Sequence, residues 1–160
     1  MNPSRLFRAP APVAKKIDRL FRLLVKEKED FEQVAGHITD HALRCTVLSL
    51  AQQNNQYAAE LSSYLQCTGA TGVKPAKKAP AQTGTDRVFS NEKGVLAFCR
   101  NNEKKIATAY RKVVQEAALY DGLKEIIGYQ QKGIAAACMQ LQLLNSLTKR
   151  HHSKSPAAMA

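Results

Sequence analysis

The chain has 160 residues and a mass of 17.6 kDa, room for one domain with one core. Hydrophobic residues at 44% and charged residues at 23% disfavour both disorder throughout and a membrane-spanning protein, and 6% aromatics with no Trp argues against a many-turned β-sandwich. The net charge of +11 makes polyanions a partner class to consider.

Taken in chain order, every long segment reads as helix. From Lys15 to about His37, apolar residues fall at Ile17, Leu20, Leu24, Phe31, Val34 and Ile38, close to the helical period. Thr39-Asp40 offers a cap for a second helix to about Cys67, with Val47, Leu50, Ala51, Ala58, Leu61 and Leu65 on one face. Residues 68–90 carry Gly, Pro and Lys without periodicity and are expected as a linker. Ser90 or Asn91 then caps a third helix with the stripe Leu96, Cys99, Ile106, Tyr110, Val113 and Val114. Asp121-Gly122 predicts a tight turn. A fourth helix follows to about Lys149 through Leu123, Ile126, Ile127, Ile134, Ala137, Leu141 and Leu144.

These elements predict an all-α, antiparallel four-helix bundle, ferritin-like, with a long crossover between helices two and three. Helices of this length measure roughly 38 Å, and a linker of this length reaches about 75 Å extended. The linker can therefore run back along a whole helix, leaving helices two and three parallel. The expected organisation is a basic flexible arm at 1–14, the bundle at 15–149 and a disordered basic tail at 150–160.

No run of apolar residues is long enough for a transmembrane helix, and the basic start is not followed by the apolar stretch of a secretory signal. An organellar transit peptide is a minor alternative for the acid-free first 17 residues. The cysteines at 45, 67, 99 and 138 form no CxxC pair and are expected to be reduced packing residues of a cytoplasmic protein. Basic residues concentrate in the arm, in the linker at Lys74, Lys77 and Lys78, and in the tail at Lys149, Arg150 and Lys154. Those six are the candidate polyanion contacts, for nucleic acid or an anionic surface. The plainer expectation for this charge is solubility.

A polar residue interrupts the middle of each apolar stripe: Glu27, Asn54, Glu103 and Gln130. A shift of 76 residues, under which Leu20 meets Leu96 and Leu65 meets Leu141, also brings Glu27 onto Glu103 and Asn54 onto Gln130. All four are expected to point inward at mid-height. A buried carboxylate must be paired, protonated or metal-bound, because removing water from a lone charge costs several kcal/mol. A ferritin-like di-iron site takes a Glu from each of two helices and a Glu-x-x-His pair from each of the others. This chain keeps the two lone glutamates but has Asn54-x-x-Tyr57 and Gln130-x-x-Gly133 where those pairs would fall. The expectation is therefore a degenerate centre in which Glu27 and Glu103 accept hydrogen bonds from Asn54, Gln130, Tyr57 or Tyr110. The alternative is a single iron or manganese ion held by both glutamates. His37 and His41, near a helix end, are expected as caps or spectators. No nucleophile flanked by His and an acid occurs, and no phosphate-cradling glycine loop.

The stretches Ala51-Gln-Gln-Asn-Asn-Gln-Tyr-Ala-Ala-Glu-Leu61 and Val95-Leu-Ala-Phe-Cys-Arg-Asn-Asn-Glu-Lys-Lys-Ile-Ala-Thr-Ala-Tyr110, with Gln130 followed by Ile134, resemble a known family. It is the small bacterial ferritin-like four-helix-bundle family known as a domain of unknown function, and the resemblance spans roughly residues 17–148. It implies that Glu60, Glu103, Tyr110 and Gln130 match the family's pattern. The chain departs from that pattern at Arg100, where the family usually has an acidic residue, and at Cys138, where it often has His. It also lacks a Trp-containing segment between helices two and three. The family carries no settled activity. The expected function is a non-catalytic bundle, structural or stress-associated, with no cofactor and with an undetermined partner or a second copy of itself. The two alternatives are a metal-binding oxidase or iron-handling protein using Glu27 and Glu103, and a basic-tailed bundle resembling starvation DNA-protection proteins.

Overall fold

The computed structural model describes residues 11–67, 92–116 and 121–154, without the side chains of residues 11, 12, 67, 121 and 148–154. Four helices make up the described chain: α1 (Ala11–Ala35), α2 (His41–Cys67), α3 (Glu92–Val114) and α4 (Asp121–Lys154). They pack against one another, chiefly α1 on α2, α3 on α4 and α1 on α3. There is no strand among the described residues.

α1 begins four residues ahead of the expected Lys15. Its second residue is Pro12, which is tolerated there because a first-turn residue has no intrahelical partner for its N–H. The helix closes through a tight turn in which the N–H groups of Gly36, His37 and Ile38 donate to the carbonyls of Glu32, Val34 and Ala35. Asp40 then caps α2 as expected. Its Oδ2 accepts from the Leu43 N–H at 2.8 Å, and its carbonyl accepts from the Arg44 N–H at 3.0 Å.

Asp121 and Gly122, expected as a tight turn, are instead the first two residues of α4. Glycine is tolerated there because the first turn has no i−4 carbonyl to reach. α4 also runs on to Lys154, past the expected end at Lys149. The linker with Lys74, Lys77 and Lys78, the candidate caps Ser90 and Asn91, and the side chains of Lys149, Arg150 and Lys154 lie outside the described residues.

The apolar stripes bury almost as the period requires, and they sort into two clusters. One joins Val13, Ile17, Leu20 and Leu24 of α1 to Leu61, Tyr64 and Leu65 of α2, Ile106, Tyr110 and Val113 of α3, and Leu123, Ile127 and Ile134 of α4. The other joins Phe31 and Val34 of α1 to Leu43, Val47 and Leu50 of α2, Val95, Leu96 and Cys99 of α3, and Ala137 and Leu141 of α4. The start of α1 thus shares a cluster with the ends of α2 and α3 and the first part of α4. An ion pair between Lys16 and Glu116 ties the same end of α1 to the chain just past α3.

Three expectations fail locally. Val114 is exposed, while its neighbour Val113 is buried. Ile126 and Leu144 are only half-buried. Cys45 is exposed on the outer face of α2 beside His41, whereas Cys99 is buried and Cys138 half-buried; all three are free thiols. His37 and His41 are both exposed. No described helix is long and apolar enough to cross a membrane.

Candidate metal centre

The polar residue of each stripe points inward, as its spacing predicts. Glu27 is 1% exposed, and Asn54, Glu103 and Gln130 are fully buried. Three of them lie between the two apolar clusters in chain order, Glu27 between Leu24 and Phe31, Asn54 between Ala51 and Tyr57 and Glu103 between Cys99 and Ile106, whereas Gln130 lies between Ile127 and Ile134 of the first cluster.

The hydrogen bonding among them differs from the expected pattern. Gln130 makes no bond to either stripe glutamate. Its Oε1 accepts from the Tyr110 hydroxyl at 2.7 Å, and its Nε2 donates to Glu60 Oε2 at 2.9 Å and to the Tyr57 carbonyl at 3.3 Å. Tyr57 is likewise engaged elsewhere. Its hydroxyl accepts from Gln53 Nε2 at 3.4 Å, and the same amide donates to the Gly133 carbonyl at 3.3 Å. The Tyr57 ring meets Tyr129 edge to face, with centroids 6.1 Å apart. Its hydroxyl fills the space that a side chain at Gly133 would need, so glycine is what admits it. The interior therefore holds a hydrogen-bonded network linking α2, α3 and α4 through Gln53, Tyr57, Glu60, Tyr110 and Gln130, in which the buried Gln53 Oε1 has no partner.

Other buried polar atoms are left without partners. Both carboxylate oxygens of Glu103, Oε2 of Glu27 and both amide atoms of Asn54 are buried with no hydrogen-bond partner. Glu27 Oε1 has only the exposed Lys26 ammonium, at 3.9 Å. Asn102, also buried, leaves its amide nitrogen unpaired. The expected bonds from Asn54, Gln130, Tyr57 and Tyr110 to the two glutamates are thus absent. Neither tyrosine is available: Tyr110 is taken by Gln130, and Tyr57 by its fit against Gly133. The sequence did not mark Glu60 as interior by periodicity; only the resemblance singled it out, together with Glu103, Tyr110 and Gln130, of which Tyr110 and Gln130 do join Glu60 whereas Glu103 makes no hydrogen bond to them.

The electrostatics follow from the burial. Desolvation pushes the Glu103 carboxyl up to about 8, and the charge of Glu27 adds to the effect. Glu27 is also raised, mainly by burial and then by Asp30, against the pull of Lys26 and Lys105. The Cys99 thiol is pushed up to about 12 by burial and by Glu103. Burial and Glu103 also raise Cys138, which Lys104 partly offsets. Neither sulfur is a ready thiolate ligand, and no group of three His, Cys, Asp or Glu side chains converges as a metal cluster among the described residues.

Two carboxylates and one free amide oxygen make a small set of hard oxygen donors. Their formal charge of two would match one divalent cation; the further acidic side chain whose charge acts on Glu27 is Asp30. No family model, no curated protein and no solved structure matches the chain.

Proposed function

We propose that this chain is a non-catalytic ferritin-like bundle whose interior holds one divalent cation, manganese or ferrous iron, between Glu27 and Glu103. The observation that carries the reading is the orphaned layer: three carboxylate oxygens and the Asn54 amide, buried with no hydrogen-bond partner. Leaving such groups unpaired costs about 1–3 kcal/mol each, more for a charge, and a cation offsets that cost at a single point. Glu27 and Glu103 would be its ligands, with the Asn54 amide oxygen a third donor; manganese and iron accept oxygen ligands of this kind. What supports the antiparallel, crossover topology is the membership of the two apolar clusters. The first joins the start of α1 with the ends of α2 and α3, as it would if α1 and α4 ran one way and α2 and α3 the other. The free thiols support a reducing, cytoplasmic setting.

The test is titration of metal-free protein with Mn(II), and with Fe(II) in air, followed by metal analysis after desalting. The reading expects about one ion per chain, lost in Glu27→Gln and Glu103→Gln, with no repeated turnover of Fe(II). Repeated Fe(II) oxidation would make the protein an oxidase instead. Absence of binding above a buffer control would leave Glu27 and Glu103 as residues that only fix the bundle's register.

The polyanion reading has support of its own in the exposed cations Lys15 and Arg19 of α1 and Lys104, Lys105, Arg111 and Lys112 of α3. It expects DNA binding that weakens steeply with salt and is reduced by removing residues 1–14 and 149–160.

A further inference from the structure

The cations of α1 and α3 are countered very differently. On α1, Lys16, Arg22, Lys26 and Lys28 each stand within ion-pair distance of an acid: Glu116, Asp18, Asp30 and Glu32. On α3, Lys93, Arg100, Lys104, Lys105, Arg111 and Lys112 form no ion pair with any described residue. Arg111 donates to the Thr108 hydroxyl at 3.2 Å and to no acid. Between Glu92 and Glu116 the one acid of this segment is Glu103, and it is buried.

These uncountered cations are in register. All are exposed except Arg100, which is half-buried. Lys93, Arg100, Lys104 and Arg111 recur at steps of seven, four and seven residues, which sets them in one line along the outer face. Lys105 and Lys112 make a second line beside it. From Lys93 to Lys112 the row is about 28 Å long at 1.5 Å per residue. Arg100 and Lys104, one turn apart, repel each other with nothing on the helix to offset it. At the end of the row, where the Lys16–Glu116 pair joins α1 to the chain past α3, the exposed Lys15 and Arg19 add two more cations without ion pairs. A surface charged for solubility alone mixes both signs, as α1 does. A helix face of one sign is the footprint of a polyanion.

We propose that the outer face of α3 binds the phosphate backbone of duplex DNA without reading its sequence. The proposal rests on the polyanion reading above and moves the contact from the terminal arms to the folded body. The chemistry of the row selects the occupant. An anionic membrane is met by cations that flank an apolar face, and between Lys93 and Lys112 no large apolar side chain is exposed. A protein interface centres on buried aromatic or apolar anchors, and a single strand needs aromatic side chains on which its bases stack; the row offers neither. Duplex RNA is held in part through its 2′-hydroxyls. The one hydroxyl of the row, Thr108, is already engaged, donating to the Lys104 carbonyl at 2.9 Å and accepting from Arg111. Phosphates ask only for cations, and duplex DNA presents about one charge per 1.7 Å of axis, so a length matching the row has a phosphate for every cation. Asn101 is the only exposed amide among them, too little for base readout.

The test is fluorescence anisotropy of labelled duplex DNA, in two unrelated sequences, titrated with the full chain over a salt series. It is repeated for Lys104→Gln and Arg111→Gln, with Lys132→Gln on α4 as a control of equal charge change and circular dichroism to confirm helix content. The expected result is the same affinity for both sequences, with log K falling against log salt at a slope of roughly −4 to −5 for five or six phosphate contacts. Lys104→Gln and Arg111→Gln should each reduce the magnitude of that slope by about 0.9 and weaken binding several-fold at low salt, whereas Lys132→Gln should change neither. Equal losses in Lys132→Gln and Lys104→Gln would overturn the assignment to α3 and leave the polyanion reading to the arms. Absence of DNA binding at low salt would end both. Tighter binding to single-stranded DNA, to duplex RNA or to vesicles of anionic lipid would overturn the choice of partner. Because Lys104, Arg111 and Lys132 are exposed, their substitution reports on binding apart from folding.

Discussion

The Tyr110 hydroxyl donates to Gln130 Oε1 at 2.7 Å, and this bond, with those to Glu60 and the Tyr57 carbonyl, withholds Gln130 from Glu103. The interior divides into a hydrogen-bonded network around Gln130 and a set of buried carboxylate and amide atoms without partners. Each half has its own consequence for stability.

Removing the Tyr110 hydroxyl leaves Gln130 Oε1 buried without a partner. Tyr110→Phe should therefore cost about 1–3 kcal/mol, measured as a fall in the urea midpoint at unchanged slope. Binding of Mn(II) should be unaltered, since Gln130 is not a ligand in the proposed centre. A Tyr110→Phe protein that keeps its stability but loses the metal would place Gln130 in the centre after all.

Gly133 is the second sensitive point. A methyl group there would overlap the Tyr57 hydroxyl and press on the ring carbon that bears it. Gly133→Ala should destabilise by about 1–3 kcal/mol despite the higher helix propensity of alanine. Combining it with Tyr57→Phe should recover part of the loss, so the two changes are non-additive by at least about 0.5 kcal/mol in a double-mutant cycle. Strict additivity would mean that the ring moves aside rather than holding its place.

Glu103 sets the pH dependence of the metal-free protein. Its carboxyl is held protonated up to about 8 in the fold, against an ordinary value of 4.5. In that window the native state binds a proton that the unfolded chain has released. Stability is therefore greatest below the ordinary value, falls as pH rises, and levels off above about 8, with a total loss on the order of 5 kcal/mol. Glu103→Gln should flatten this slope and raise the melting temperature at pH 8. Mn(II) should act in the opposite sense, stabilising the wild-type chain more at pH 8 than at pH 5, because in the proposed centre the ligand would be the carboxylate. A melting temperature of the metal-free wild type that climbs between pH 5 and 8 would contradict the protonated assignment.

Helical period is a local property, and so the sequence alone determined most of the architecture. The stripes through Ile17, Leu20 and Leu24, through Val47 and Leu50, and through Leu123, Ile127 and Leu141 all turned inward, and Asp40 caps where a short acidic side chain before an apolar run should. The same period placed Glu27, Asn54, Glu103 and Gln130 in the interior. Which of them bond to each other is not local. It depends on the axial offset and rotation of helices joined by segments that carry no record of either. Only the packed structure shows that Gly133 receives the Tyr57 hydroxyl, that Glu60 reaches back to Gln130, and that Glu27, Glu103 and Asn54 keep buried polar atoms without a hydrogen-bond partner. Burial is what makes that leftover set costly, because in water each of these groups would have found its partner.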